Sequence, residues 1–280
     1  MLKRIQVVLI IFVMVSAVST AIAFLHLDEY TIAFVQVGQG DCCLITTPGG
    51  RRILIDSGIS KDTFDKTPIA KYCSTNAISK IDVAFVSHYH EDHVGGMIKL
   101  FETVPCEMML LPKPITKQDI EYKDRLITNA KGAKAYYFQP HERLDLGDDL
   151  KIQALYYDST PQASVNDNSM VMRVHCMQTD ILFTGDIGFE AEWNIIKSLP
   201  AELLKCDIIK VAHHGSKYSS SDQFYGVVKP KEAVICVGKN TFGHPSSDAM
   251  NRITNAGTKI YRTDQGGTVK ITVDKEGYSF

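Results

Sequence analysis

The sequence has no Cys-x-x-Cys pair, almost no net charge and only one long apolar run. The first shortage argues against a thiolate zinc cluster. Lys plus Arg number 30 and Asp plus Glu 32, for a formal charge of −2. No basic field therefore holds nucleic acid by charge alone. A single apolar run leaves no room within these residues for a channel or pump. Internal repeats and low-complexity tracts are also missing. What remains is ordinary for a globular protein: 45% hydrophobic, 22% charged and 9% aromatic. That composition excludes a disordered chain and a disulfide-stapled miniature. The seven Cys cannot all pair within one chain. Cys42, Cys176, Cys206 and Cys236 sit in apolar, strand-like runs, where Cys acts as a small hydrophobe.

Lys3 and Arg4 precede an uncharged stretch, residues 7–25, whose polar members are Ser16, Ser19 and Thr20. This reads as a signal peptide or a single membrane anchor over 1–25. Ala21-Ile22-Ala23 fits the small-x-small cleavage rule, and the length also suits an uncleaved anchor. Both readings put the rest outside the cytoplasm, secreted or tethered. No linker interrupts 28–280, so one domain is expected there.

Short apolar runs bounded by Gly and Pro predict strands over 30–37, 42–46, 52–56, 81–86, 108–111, 135–138, 150–156, 169–174, 181–183, 208–211, 233–237, 259–262 and 268–273. Helical spacing is expected over 95–101, 116–131, 189–199, 222–228 and 246–255, and 57–80 reads as an irregular polar stretch. Early strand meanders with interspersed helices suit two mixed sheets packed face to face, with helices outside.

The chemistry concentrates in Ser87-His88-Tyr89-His90-Glu91-Asp92-His93-Val94-Gly95-Gly96, directly after an apolar strand. A third of the chain's nine His fall within six residues there. Imidazoles and carboxylates are the ligands that borderline divalent metals prefer. Residues two apart on an extended loop point the same way, so His88 and His90 can share one ion. Asp92 and His93 then face a second. Asp186, after Gly185 at a strand end, is placed to bridge the two. His213 and His214 end another strand. Neighbours on an extended chain diverge, so one of the two is expected to bind metal directly. His244 follows a further strand.

These pieces resemble the metallo-β-lactamase superfamily, whose signature is His-x-His-x-Asp-His. More narrowly, the chain resembles the metallo-β-lactamase-like domain of ComEC competence proteins. Further matches are Val35-Gln36-Val37-Gly38-Gln39-Gly40-Asp41, Ile53-Leu54-Ile55-Asp56-Ser57-Gly58, Asn166-Asp167-Asn168-Ser169, Phe183-Thr184-Gly185-Asp186, His213-His214-Gly215-Ser216, Gly243-His244-Pro245 and Arg262-Thr263-Asp264, in family order. The resemblance implies an α/β (α+β) chain folded as a four-layer αββα sandwich of two mixed sheets, with a dinuclear site at one edge. It implies that His88 and His90 bind one ion, Asp92 and His93 the other, and that Asp186 bridges. Many superfamily members carry a further His where this chain has Asn166-Asp167-Asn168-Ser169. His213 or His214 is therefore expected to complete the first ion's ligands, and His244 the second's. Asp56 and Asp167 are expected behind the ligands, with Asp56 orienting the ligand loop. Zinc β-lactamases generally have Cys where Asp186 stands, which argues against β-lactams as substrate.

The cofactors expected are two divalent ions, zinc ahead of manganese. Such a pair lowers the pKa of a shared water and clamps attacking and leaving oxygens, with Asp92 as catalytic proton acceptor. The leading expectation is an extracytoplasmic phosphodiesterase or DNA nuclease. Ser216 and Lys217 would then contact substrate phosphate, with Ser219 to Ser221 and a local patch of Lys210, Lys217, Lys239 and Arg262. Two alternatives are a hydrolase of an ester, lactone or amide carbonyl in the envelope, and a non-catalytic metal-dependent binding protein. Beyond a nucleic-acid or phosphodiester substrate and the membrane, the sequence identifies no partner.

Overall fold

The computed structural model describes residues 29–158, 160 and 164–280. The expected signal or anchor over 1–25 lies outside the described residues. Among them, no helix is long and apolar enough to cross a membrane.

Two mixed sheets form the centre. The first runs β15(Gly277–Ser279), β14(Val269–Asp274), β1(Tyr30–Phe34), β2(Cys42–Thr46), β3(Arg52–Ser57), β4(Ile81–Phe85), β5(Cys106–Leu111), β6(Lys134–Tyr137). The second runs β13(Lys259–Arg262), β12(Glu232–Ile235), β11(Ile208–Lys210), β10(Thr179–Phe183), β9(Val171–Cys176), β8(Leu150–Tyr156), β7(Arg143–Asp145). Both are built alike. An antiparallel meander, β1–β2–β3 or β8–β9–β10, leads into parallel strands that continue through β6 or β13.

Alternation along each strand explains the layers. Ile32, Phe34, Cys43, Ile45, Ile53 and Ile55 enter the core between the sheets, with Met172, Val174, Ile181 and Phe183 opposite. The rings of Phe34 and Phe183 stack across that core, 5.8 Å apart. The other faces, Ala33, Leu44 and Leu54 in one sheet, and Leu182, Ile209 and Ile235 in the other, pack against helices. Both faces are buried, so these strands read as continuous apolar runs. The helices Pro68–Thr75, Glu91–Leu100 and Lys117–Asn129 cover the first sheet. Phe189–Ser198, Ala201–Leu204, Asp222–Val228 and Ser247–Asn255 cover the second. This is the αββα sandwich expected from the sequence.

Two local expectations change. Part of the polar stretch 57–80 forms the helix Pro68–Thr75. Its apolar stripe is only Ile69, Ala70 and Cys73, too thin to stand out, although Pro68 takes the first-turn position. The helix expected at Gly95 starts instead at Glu91, with His90 as N-cap. Gly95 and Gly96 are therefore interior. At Gly96 the reason is steric, because a Cβ there would lie 2.1 Å from the Ser57 carbonyl oxygen. The short strands β7 and β15 also carried too little pattern to anticipate.

Candidate metal centre

The residues of the centre hang from strand ends. Ser87, His88 and His90 form the turn after β4, and the helix Glu91–Leu100 holds Asp92 and His93 in its first turn. Asp186 follows β10, His213 and His214 follow β11, and His244 lies beyond β12. Asp56 stands near the end of β3 and Asp41 just before β2. Gly40 lets the Asp41 loop approach the helix, since a Cβ there would meet the Asp92 carbonyl oxygen at 2.2 Å, at φ 129°.

Asp186 is the hub. Its Oδ1 lies 3.3 Å from His93 Nε2, and its Oδ2 lies 3.3 Å from His214 Nε2 and 3.9 Å from His213 Nε2. His214 Nε2 also lies 3.2 Å from Asp92 Oδ2. His88 Nε2 and His90 Nδ1 are 3.1 Å apart. Ligand atoms of His88, His93 and Asp186 fall within 4.8 Å of one another, as do those of Asp92, His93 and His214, and those of Asp41, Asp186 and His214.

The extended backbone expected at His213 and His214 is absent. Both adopt left-handed conformations, φ 50° and 53°. Each such residue costs about 1–3 kcal/mol and persists only where its surroundings fix it. His214 is buried beside Asp92, while His213 is half-exposed at the rim, 3.5 Å from Asn166 Nδ2. The ring of His244 lies 5.3 Å from that of His213 and 6.3 Å from that of His214.

The donor set fits a cation. His93 Nε2, His214 Nε2, Asp186 Oδ1 and His244 Nδ1 are buried and make no hydrogen bond. Buried polar atoms are normally hydrogen-bonded. Here several converge on one another without a proton geometry that joins them. A divalent ion satisfies such imidazole and carboxylate lone pairs together.

The electrostatics agree. Burial opposes charge on His93, but Asp186, Asp41 and Asp92 outweigh it and hold the imidazole well above its ordinary value. Burial is likewise overcome at His214, chiefly by Asp186 and Asp41. Burial disfavours the Asp186 carboxylate, yet His214 and His93 hold it well below the usual range. His88, pushed down by burial and then by His93, stays neutral. Burial and the neighbouring His213 bring His244 to about 4. A cation bound by these imidazoles would take the place of protons on His93 and His214.

Asp56 contacts the centre directly. Its Oδ2 lies 2.9 Å from His93 Nδ1, and it accepts hydrogen bonds from the Ser87 N–H and hydroxyl. Asp167 does not. Its carboxylate accepts from the Ser164 hydroxyl and the Gly188 N–H, tying its own loop to the turn that follows Asp186.

The expected phosphate contacts change too. Ser216 is buried, and its Oγ accepts from the Tyr218 N–H. Ser219 donates to Ala212 O, and Ser221 caps the helix Asp222–Val228. Lys217 is exposed, with Nζ over the Tyr218 ring. Lys210 is buried against Asp41, and Arg262 is held by Asp264, so neither joins a surface patch with Lys217 and Lys239. The fold consumes these groups in its own turns and strand ends.

Sequence reading gave no role at the centre to four residues that touch it. Asp41 lies 3.2 Å from His214 Nδ1, and Lys210 lies 3.6 Å from Asp186 Oδ1. Ser87 and Ser169 place their Oγ 3.1 and 3.2 Å from His88 Nδ1. One signal was available, a Lys inside the apolar run Ile208-Ile209-Lys210-Val211.

A family model described as Metallo-beta-lactamase superfamily matches residues 35–113. ComE operon protein 3 of Bacillus subtilis is 26% identical over 260 residues, covering 87% of this chain and 33% of that protein. Competence protein ComA of Neisseria gonorrhoeae is 25% identical over 251 residues, covering 89% of this chain and 33% of that protein. The chain thus spans about a third of the length of these curated relatives. Tm1679, a metal-dependent hydrolase of the β-lactamase superfamily, shares the fold at a TM-score of 0.55 and 12% identity, covering 86% of this chain and 98% of that one. The signature residues, the sandwich and these matches make the chain similar to the metallo-β-lactamase superfamily and, over most of its length, to ComE operon protein 3 and competence protein ComA.

Proposed function

We propose that this chain is a metal-dependent hydrolase that cleaves phosphodiesters in nucleic acid, and that it works outside the cytoplasm. The observation that carries the substrate reading is a set of exposed rings, one beside His244 and the others around Tyr218, four residues beyond His214. Phe242 is 74% exposed, with its ring 5.8 Å from that of His244. Tyr218 is 63% exposed, with Lys217 Nζ 4.9 Å from its ring centre. The Phe189 N–H donates to the Tyr218 carbonyl, which brings exposed Phe189 and, one turn on, Trp193 beside it. Arg252 and Lys197 lie over those two rings. Exposed rings with adjacent cations suit stacked bases and passing phosphates. They supply locally what a net charge of −2 does not supply globally.

Divalent ions held by His88, His90, Asp92, His93, Asp186 and His214, with His213 and His244 at the rim, would supply hydroxide near neutral pH and neutralise phosphate charge. Asp92 is 28% exposed at its side chain against 3% for Asp186, so solvent reaches its carboxylate, which suits a proton acceptor. Relatives named for competence favour nucleic acid, and the leader-like first 25 residues favour an extracytoplasmic position.

The test is activity of the purified protein with zinc or manganese. Single-stranded oligonucleotide and bis(p-nitrophenyl) phosphate are set against a panel of lactones and nitrocefin. Cleavage of the phosphodiesters is expected, and turnover confined to lactones or nitrocefin overturns the substrate reading. Protease accessibility of the chain on intact cells tests the location.

A further inference from the structure

Behind the ligand ring lies a buried ion pair that the hydrolytic reading leaves unused. Lys210 closes β11 and is 2% exposed. Its Nζ contacts Asp41 Oδ2, donates to the Gly185 carbonyl at 2.8 Å and lies 3.6 Å from Asp186 Oδ1. The other Asp41 oxygen lies 3.2 Å from His214 Nδ1, which is also 2.9 Å from the Cys236 carbonyl. His214 Nε2 faces Asp92 and Asp186.

The first sheet repeats the pattern. Asp56 Oδ2 lies behind His93 Nδ1, and His93 Nε2 faces Asp186. Two carboxylate–imidazole pairs thus converge on Asp186, Asp56–His93 from the first sheet and Asp41–His214 across the two sheets. They differ in what anchors the carboxylate. The Ser87 N–H and hydroxyl hold Asp56, whereas a full ammonium holds Asp41.

We propose that Asp41 is the positioning carboxylate of His214 and that Lys210 acts through it. The Cys236 carbonyl, which can only accept, takes the His214 Nδ1 proton, and the Asp41 charge beside that proton holds it there and leaves Nε2 directed at a cation. A carboxylate behind a ligating imidazole fixes its tautomer and raises its basicity. Asp41 is not itself a ligand, because Lys210 occupies its Oδ2 and its Oδ1 faces His214 Nδ1 rather than Nε2, the atom directed at the cation. Lys210 also holds the turn before Asp186 through Gly185, so the two routes must be separated.

The inference rests on the metal centre, and wild-type protein that binds neither zinc nor manganese overturns both. The experiment is a zinc competition titration against a chromophoric chelator on the full chain, with Asp41→Asn, Lys210→Met and the double variant. Each single variant is expected to bind zinc about 10–100-fold more weakly. Because Lys210 works through Asp41, the double variant is expected to be no weaker than the weaker single one. In 15N–1H spectra of the zinc-loaded protein, the His214 Nδ1–H resonance is expected to move upfield in Asp41→Asn, which a role in stability alone does not produce. Affinities within twofold of wild type, losses that multiply in the double variant, or an anomalous zinc peak on Asp41 each overturn the proposal. If a single variant fails to fold because it strands a buried charge, the double removes both charges together, and it must still bind zinc at least about tenfold more weakly.

Discussion

The rings of His93 and His214 stand 5.3 Å apart, centre to centre, although one follows β4 in the first sheet and the other β11 in the second. The centre is therefore a clasp between the two halves of the sandwich. A cation gripped by both rings and by Asp186 binds only when the halves are correctly docked, so its binding energy becomes folding energy.

Chelation is the direct check of that linkage. An ion at 100–1,000 times its dissociation constant stabilises the native state by about 3–4 kcal/mol. In a domain of this size that corresponds to roughly 5–15 °C in melting temperature. Stripping with a chelator is expected to lower the thermal midpoint by that amount, and adding zinc back to restore it. A melting curve indifferent to both treatments leaves the centre without metal.

Substitution separates the two roles of the carboxylates. Asp186→Ala removes the group that meets His93, His214 and His213 together. Bound metal measured by mass spectrometry is expected to fall with it, and phosphodiester hydrolysis to drop by about 10³-fold or more. Solvent reaches Asp92, so Asp92→Ala is expected to abolish nearly all turnover while the zinc held by His88, His93 and Asp186 is retained. Full activity of a metal-loaded Asp92→Ala protein removes Asp92 from the chemistry.

The legible parts of this molecule were those written in short-range pattern. Apolar runs with β-branched residues gave the strands, and the clustered His at 88, 90 and 93 gave the centre. Asp41 and Lys210 were not legible, because their roles exist only across the sheets. They lie 169 positions apart and meet only when β2 and β11 are stacked in register. The left-handed turns at His213 and His214 were hidden for a related reason. Nothing in His-His-Gly-Ser announces a conformation that neighbouring loops impose. The Ser216 and Ser219 hydroxyls looked like phosphate donors because sequence does not show which hydroxyls the backbone has already claimed.

Two helical glycines should respond in opposite directions to the same change. A Cβ on Gly96 meets the Ser57 carbonyl oxygen at 2.1 Å and Ile69 Cγ2 at 2.9 Å, whereas one on Gly226 meets nothing within 4 Å. Helix propensity favours Ala by about 1 kcal/mol at either site. At Gly96 the collision with backbone wins, and Gly96→Ala is expected to lose about 3 kcal/mol. Gly226→Ala is expected to gain about 0.5–1 kcal/mol. Urea unfolding of the two variants measures both, and equal effects refute the close approach of the helix to β3.

Glu192 supplies a pH dependence separate from the metal. It is buried in the helix Phe189–Ser198 and accepts the Ser220 and Ser221 N–H groups. Burial pushes its carboxyl up to about 7, against the hydrogen bonds and Arg252, which favour ionisation. The sign follows from where the proton sits. Between the ordinary value near 4.5 and about 7, the unfolded chain has released this proton and the folded one has kept it. Stability therefore falls as pH rises through that window, by on the order of 3 kcal/mol, and the loss is constant above it. Glu192→Gln carries no titrating group. The stability of wild type relative to this variant is expected to decline from pH 4.5 to 7 and then level off, and a flat difference assigns the proton elsewhere.

The exposed rings are where the substrate reading is most open to measurement. Tyr218 and Phe242 contribute little to the core, since both are largely exposed, so Tyr218→Ala and Phe242→Ala should leave folding and metal content intact. A base stacked on an aromatic ring is worth about 1–3 kcal/mol, so each variant is expected to weaken single-stranded oligonucleotide binding about 5–100-fold. Hydrolysis of bis(p-nitrophenyl) phosphate, which has no run of bases to stack, is expected to stay near wild type. Lys217→Gln should flatten the salt dependence of oligonucleotide binding, because it removes one phosphate partner. If all three variants bind oligonucleotide as wild type does, the rings have another use, and the centre is left with a small phosphodiester as its substrate.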